Sequence, residues 1–285
     1  TDDLTLVASR YPYTINEDIF VPRGVTLTIE PGVELRFASG RAARVEGRLL
    51  AVGALRRPIL FTRAFTDAWG GILFRETWED NRIAHATLEG VGGGAALTVY
   101  SATLRVEASA VRESDAGLFA TGAASATLVN GLVYACAGQA LAAADGGALH
   151  IVHGSVVSNG LGLRLEGGRV VLLNTIVWGN GVSVELDTSS TITVTYSDVP
   201  SSTATAIGSA WVGEGNISAD PLFRNAESRD YRLRRESPCV DAGVSVGAPE
   251  EDIAGVPRPR GAGPDMGAYE FFEYFAIYLP LTVRS

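Results

Sequence analysis

The chain has 285 residues, with 23 basic side chains against 32 acidic ones and a net charge of −9, which argues against nucleic acid and against anionic membranes as partners. All the basic residues are arginine, so polysaccharide lyases built on a lysine base are excluded. The 33 glycines, the abundance of Ala, Val, Leu and Thr and the lack of any long helical period point to an all-β chain. No stretch reaches the ~20 apolar residues of a membrane span.

In chain order, residues 1–23 hold Tyr11, Tyr13 and Phe20 among polar residues and read as an N-terminal cap over the first open coil of a solenoid. Short alternating strands follow at 25–29, 33–37, 45–50, 59–62 and 72–74. From about 83 to 196 the sequence repeats itself roughly every 22 residues. One column reads Ile83, Val106, Leu128, Ile151 and Leu172. A second, two residues earlier, reads Leu104, Ala126, Leu149 and Val170. Apolar residues at spacing two, separated by turns rich in Gly, Asn, Asp and Ser, predict stacked strands about 4.8 Å apart. The mixed columns lack the fixed leucines of leucine-rich repeats, and a parallel β-helix fits better, in which roughly seven coils would make a rod of about 35–40 Å.

Beside the apolar columns stands a polar one, His85, Ala108, Asn130, His153 and Asn174, expected to point inward near a corner as a structural ladder. Units aligned on this repeat end on Ser114, Cys136, Asn159 and Asn180. Asp115, Asp145 and Asp187 lie singly in or beside turns, so the clustered aspartates that a glycosidase needs are missing from the coils. Arg82, Arg105, Arg112 and Arg164 are expected on the solvated outer face, without forming a column with acidic neighbours. Trp69, Trp78, Trp178 and Trp211 are candidates for a sugar-stacking platform.

Two blocks of residues then carry a family resemblance. The run 19–37, followed by 45–53, Pro58-Ile-Leu-Phe-Thr62 and Trp69-Gly-Gly-Ile72, resembles the opening of secreted bacterial right-handed parallel β-helix proteins of the pectate-lyase-like superfamily. Asp220-Pro-Leu-Phe223, Ser237-Pro-Cys-Val-Asp-Ala-Gly243 and Asp265-Met-Gly-Ala-Tyr-Glu270 look like the C-terminal signature of "choice-of-anchor" β-helix proteins. The resemblance implies a fold and leaves function open, because this fold hosts unrelated activities.

The resulting division is a cap at 1–23, coils at 24–199, a C-terminal coil and capping region at 200–270, and an aromatic tail strand at 271–285. Asp241, Asp252 and Asp265 belong to a carboxylate cluster that either binds turn amides or holds calcium, with Arg258 and Arg260 as ion-pair partners. Cys136 and Cys239 are candidates for a disulfide if the C-terminal part folds back on the coils. Asn216-Ile-Ser218 is a glycosylation sequon.

The tail carries Phe271, Phe272, Tyr274, Phe275, Ile277, Tyr278 and Leu279. Its ending is similar to tails of secreted proteins of Chloroflexota. It is expected to cap its own solenoid or to add as a strand to a neighbouring molecule. A start at Thr1 without Met is read as a mature chain after signal-peptide removal, hence secreted or on the cell surface. The expected function is a non-catalytic extracellular structural protein that forms a homo-oligomer or homopolymer and needs no cofactor. The alternatives are a polysaccharide-binding or lyase-like carbohydrate-active enzyme and a calcium-stabilised adhesive module.

Overall fold

The computed structural model describes residues 2–200 and 213–273, with the backbone alone of the strand Ala204–Ala206 between them. Three parallel sheets of nine, eight and nine strands run along the molecule; the first eight coils each contribute one strand to each sheet in the order A, B, C, and the ninth meets sheet B only through a bridge at Asp198. This is an all-β parallel β-helix. The expected columns are real: Ile83, Val106, Leu128, Ile151 and Leu172 are register partners along sheet A, and so are Leu104, Ala126, Leu149 and Val170. Alternation places these side chains inside, where all are nearly or fully buried, while Arg105, Thr127 and His150 face out. Burying each such aliphatic side chain contributes about 1.5–3 kcal/mol, so the coil stack is its own core.

The corners explain the polar columns. At the corner between sheets A and B every coil from the fourth to the ninth has one residue at positive φ: His85, Ala108, Asn130, His153, Asn174 and Tyr196, all between 43° and 51°. The backbone reverses there and the side chain is turned off the interior. At the corner between sheets B and C the side chain after the positive-φ residue does enter. Asn180 Oδ1 accepts from Asn159 N and Nδ2 at 2.9 and 3.0 Å, and Asn159 Oδ1 accepts from Cys136 N at 3.0 Å. The inward ladder is therefore Ser114, Cys136, Asn159 and Asn180, one corner away from where the sequence placed it. Gly117 and Gly160 permit the close stacking beyond this corner, since a Cβ at either would stand 2.1 Å from a carbonyl oxygen of the next or preceding coil.

The segment expected as a cap, described from residue 2 to 23, is itself built into the coil stack. β1 (Leu4–Leu6), β2 (Tyr13–Ile15) and β3 (Ile19–Val21) pair in parallel with the second coil and form the first coil themselves. Each stands at the end of its sheet, so among the described residues their outer edges are unpaired.

After the ninth coil, 213–217 adds a further level: Ile217 bridges Asp198, and Tyr196 N donates to Glu214 O. The chain then turns back along the outside of sheet B. A hairpin of Phe223–Asn225 and Asp230–Leu233 begins this flap. Tyr231, Leu233, Cys239 and Met266 pack on Leu132, Tyr134, Val157 and Ile176, the outward side chains of sheet B, in a second apolar cluster. The signature at 220–270 is thus a lateral cover that reaches from the ninth coil to Leu55 of the third, near Gly255.

Candidate functional site

The positive-φ column at the A–B corner is where the flap is fastened. Asn174 Nδ2 donates to Val244 O at 2.8 Å and Val244 N donates to Asn174 Oδ1 at 2.9 Å, while Asn130 Nδ2 donates to Glu251 O at 2.6 Å. His153 is fully buried, its Nε2 2.8 Å from Asn174 Nδ2, and burial aided by nearby Arg258 pushes its imidazole down to about 3. His85 lies beyond the buried part of the column and lines an open groove. The four residues form one column; His153 and Asn174 meet within it, while Asn130 and Asn174 also bond flap carbonyls and an amide.

Beneath the flap, Arg258 and Glu270 form an ion pair at 3.0 Å with side chains 0% and 1% exposed. Arg258 also donates to Asp265 O and Gly267 O, so the cation is largely satisfied by the flap itself. The carboxylates expected as calcium ligands are engaged otherwise. Asp252 accepts the amides of Ala254, Val256 and Glu270, Asp265 those of Asp241 and Phe271, and Asp241 that of Gly263. Among the described residues no group of three or more His, Cys, Asp or Glu side chains is arranged to hold a metal ion. These amide bonds are the ones expected of Asp in turns beside Gly and Pro. Burial and the neighbouring Glu270 push Asp265 up to about 7, and burial pushes Asp198 up to about 6.

The two cysteines are free and buried. Cys136 belongs to the interior core and Cys239 to the cluster outside sheet B, where it donates to Asp198 Oδ2 at 3.4 Å. The flap does fold back as a disulfide would need, yet it places the two thiols in separate layers. Asn216 of the sequon is likewise committed, with Nδ2 donating to Val194 O at 2.6 Å and Oδ1 accepting from Ser197 N.

A groove of about 640 Å³ runs between the A–B corner and the flap, lined by Val52, Leu55, Arg82, His85, Glu107 and Glu250 among others. Arg82 and Arg105 are register partners on sheet A, and both pair with Glu107, at 2.5 and 2.8 Å. They do form a column with an acidic neighbour, contrary to the reading from spacing alone. With Glu107 these guanidinium groups offer a fixed donor and acceptor array, of which Arg82 and Glu107 line the groove. Arg112 pairs with Glu89, and Arg164 with Glu166, on the outer surface.

Of the tryptophans, Trp69 is a core residue stacked on Phe37 at 4.3 Å, Trp178 packs against the flap cluster, and Trp78 is exposed. Trp211 lies outside the described residues. In the tail, Phe272 lies under the Arg260 guanidinium at 4.4 Å and accepts from Arg224 through its carbonyl, and Glu273 pairs with Arg235 at 3.0 Å. Phe271 is half-buried; Tyr274, Phe275, Ile277, Tyr278 and Leu279 lie outside the described residues.

The open first coil was not foreseen. Leu6, Tyr13, Ile15 and Ile19 are half-buried against the core at the uncovered end, and Leu4 and Phe20 are 56% and 55% exposed. Part of the signal was present in the sequence, because Leu4-Thr-Leu6 and Tyr13-Thr-Ile15 repeat the same alternation as the coils.

These sheets and stacked corners define a parallel β-helix protein. No protein-family model matches the chain. A stretch of 51 residues, 18% of this chain, is 47% identical to part of Protein bark beetle of Drosophila melanogaster, and the match spans 2% of that protein's length. Among solved structures, pectate lyase Pel9A is similar at 12% identity and a TM-score of 0.37, over 91% of this chain and 97% of that one. Among the described residues no helix is long and apolar enough to cross a membrane.

Proposed function

We propose that this chain is a secreted, non-catalytic β-helix of the extracellular surface that works by associating with copies of itself, through a solenoid end and through its aromatic tail. The observation that carries this reading is the uncovered first coil. Among the described residues three parallel strands present unpaired amides and carbonyls at one end, and β1, β2 and β3 contain no charged residue. Natural sheets normally blunt such an edge with charge, proline or a covering segment. Leu4, Val7, Tyr11 and Phe20 add exposed apolar surface at the same end. The resemblance to secreted choice-of-anchor β-helix proteins supports the same setting. The test is light scattering and negative-stain imaging of the whole chain beside one ending at Glu273, which keeps every described residue. Concentration-dependent oligomers or filaments from the whole chain support the reading, and monomers of the whole chain at every concentration overturn it.

A second reading, a polysaccharide-binding or carbohydrate-active surface, is favoured by Arg82 and Glu107, which line the corner groove and pair there. Hydroxyl-rich chains are held by such paired donors and acceptors beside apolar walls. Binding to immobilised polysaccharides that is lost in an Arg82→Ala, Glu107→Ala double variant would support it.

A further inference from the structure

Between its tie to Asn130 and its contact with Leu55, the flap crosses the fourth and fifth coils at the A–B corner, and among the described residues no hydrogen bond joins it to that corner there. The reason lies in the positive-φ column. Asn130 and Asn174 reach flap carbonyls, whereas the fifth coil has Ala108 at the same place, at a φ of 43° that residues with a Cβ seldom adopt. A lone Cβ does not bridge to the flap, and the corner groove opens beside it. The groove runs from Val52 of the third coil to Asn130 of the sixth, three rises or roughly 14 Å at about 4.8 Å each.

Its two walls differ in charge. On the coil side Arg82 is engaged by Glu107, and Arg105 pairs with the same carboxylate from outside the lining. On the flap side Glu250 and Glu251 are exposed, and among the described residues neither forms an ion pair. Asp252 is committed to three backbone amides. Val52 and Leu55, 36% and 48% exposed, supply apolar surface. A sugar that carries a carboxylate meets two carboxylates here and no cation without a partner. A sugar that carries a protonated amino group finds counter-charges, a donor and acceptor pair for its hydroxyls, and an apolar surface for its ring face.

We infer that the corner groove takes a glycan with free amino groups and rejects acidic glycans. This inference rests on the polysaccharide-binding reading of the same groove and names its ligand class.

Calorimetric titration of the full chain tests it with three probes: glucosamine oligosaccharides, the same oligosaccharides after N-acetylation, and galacturonate oligosaccharides, buffered where the amino groups are protonated. Acetylation is expected to lower affinity about tenfold or more, with added salt narrowing the gap, and galacturonate is expected not to bind. Glu250→Gln with Glu251→Gln, at exposed side chains, should leave melting unchanged and abolish the preference for the amino form. Ala108→Asn puts into the groove the side chain that fastens the sixth and eighth coils. Asparagine tolerates positive φ better than alanine, so this variant is expected to block binding with no loss of melting temperature. If the acetylated or acidic probe binds as well as the amino form, and the Arg82→Ala, Glu107→Ala variant removes that binding, the groove holds glycans and the charge selection alone falls. If none of the three binds, this inference falls, while the polysaccharide-binding reading falls only if immobilised polysaccharides fail too. If glucosamine oligosaccharides bind but folded Ala108→Asn keeps their affinity, attraction to the acidic surface at large explains them and the inference is overturned.

Discussion

Asn174 and Val244, 70 residues apart, exchange two hydrogen bonds in which the side-chain amide of Asn174 takes the part of a strand neighbour, giving its Nδ2 proton to one backbone group and receiving from the other on Oδ1. Asn174 is also at positive φ, which asparagine tolerates better than most side chains. Asn174→Ala strips both bonds and leaves Val244 N and O under the flap without partners. The expected cost is about 2–4 kcal/mol, read by urea unfolding, together with faster proteolysis between 240 and 260. A loss below about 0.5 kcal/mol would mean the flap is not fastened there.

Asn159 carries the inward ladder. Its Nδ2 donates to Val133 O at 3.0 Å, Val157 O at 3.1 Å and Asn180 Oδ1, and its Oδ1 receives Cys136 N. Asn159→Val keeps the volume near and removes every partner at once. We expect destabilisation of about 3 kcal/mol or more, against less than about 0.5 kcal/mol for Thr127→Ala on the outer face of sheet A. Equal melting temperatures for the two variants would sink the ladder as a source of stability.

Two buried groups make stability respond to pH in opposite senses. His153 has its pKa lowered to about 3 by burial. Below about 6.5 the unfolded chain takes up a proton that the folded one refuses, so stability is lost as pH falls from about 6.5 toward 3. Asp198 has its pKa raised to about 6 by burial. Here the folded chain keeps a proton that the unfolded chain releases near 3.9, so stability is lost as pH rises from about 4 to 6. Asp198→Asn should flatten the second slope, a difference of about 3 kcal/mol across that window; His153→Gln should flatten the first. Unfolding curves at pH 4, 5, 6 and 7 separate the two, and parallel profiles for all three proteins would exclude both assignments.

The carboxylates of Asp241, Asp252 and Asp265 spend their oxygens on backbone amides. Adding EDTA or millimolar calcium is therefore expected to move the melting temperature by less than about 1 °C. A drop of several degrees in EDTA, restored by calcium and not by magnesium, would show that these side chains rearrange around an ion.

The apolar columns were legible because strand alternation is local and repeats unchanged in each coil, as Ile83, Val106 and Leu128 illustrate. Which polar column turns inward was not legible. His85 and Asn159 sit at equivalent-looking turns, and only the backbone hand at each corner, positive φ at His85 and at Ser158 just before Asn159, decides whether the side chain enters. The first coil was misread because Tyr11, Pro12 and the charges around it mask three strands of three residues each. The flap's place on sheet B depends on pairs such as Asn130 with Glu251, 121 residues apart, for which spacing carries no signal. That Arg258 pairs with a carboxylate of the C-terminal cluster was legible, but neither the partner, Glu270, nor the burial of the pair was.

A stack of coils held only by its nearest neighbours would melt from either end, one coil at a time. The flap changes this, because it grips the A–B corner or the sheet B face in the sixth, seventh, eighth and ninth coils through Asn130, Ser155, Asn174 and Asp198. Pulling one of these coils away along the axis then means detaching a segment that also holds the other three. A load applied lengthwise is shared across that block, and the first two coils, beyond the reach of the flap at Leu55, become the place where the molecule yields first.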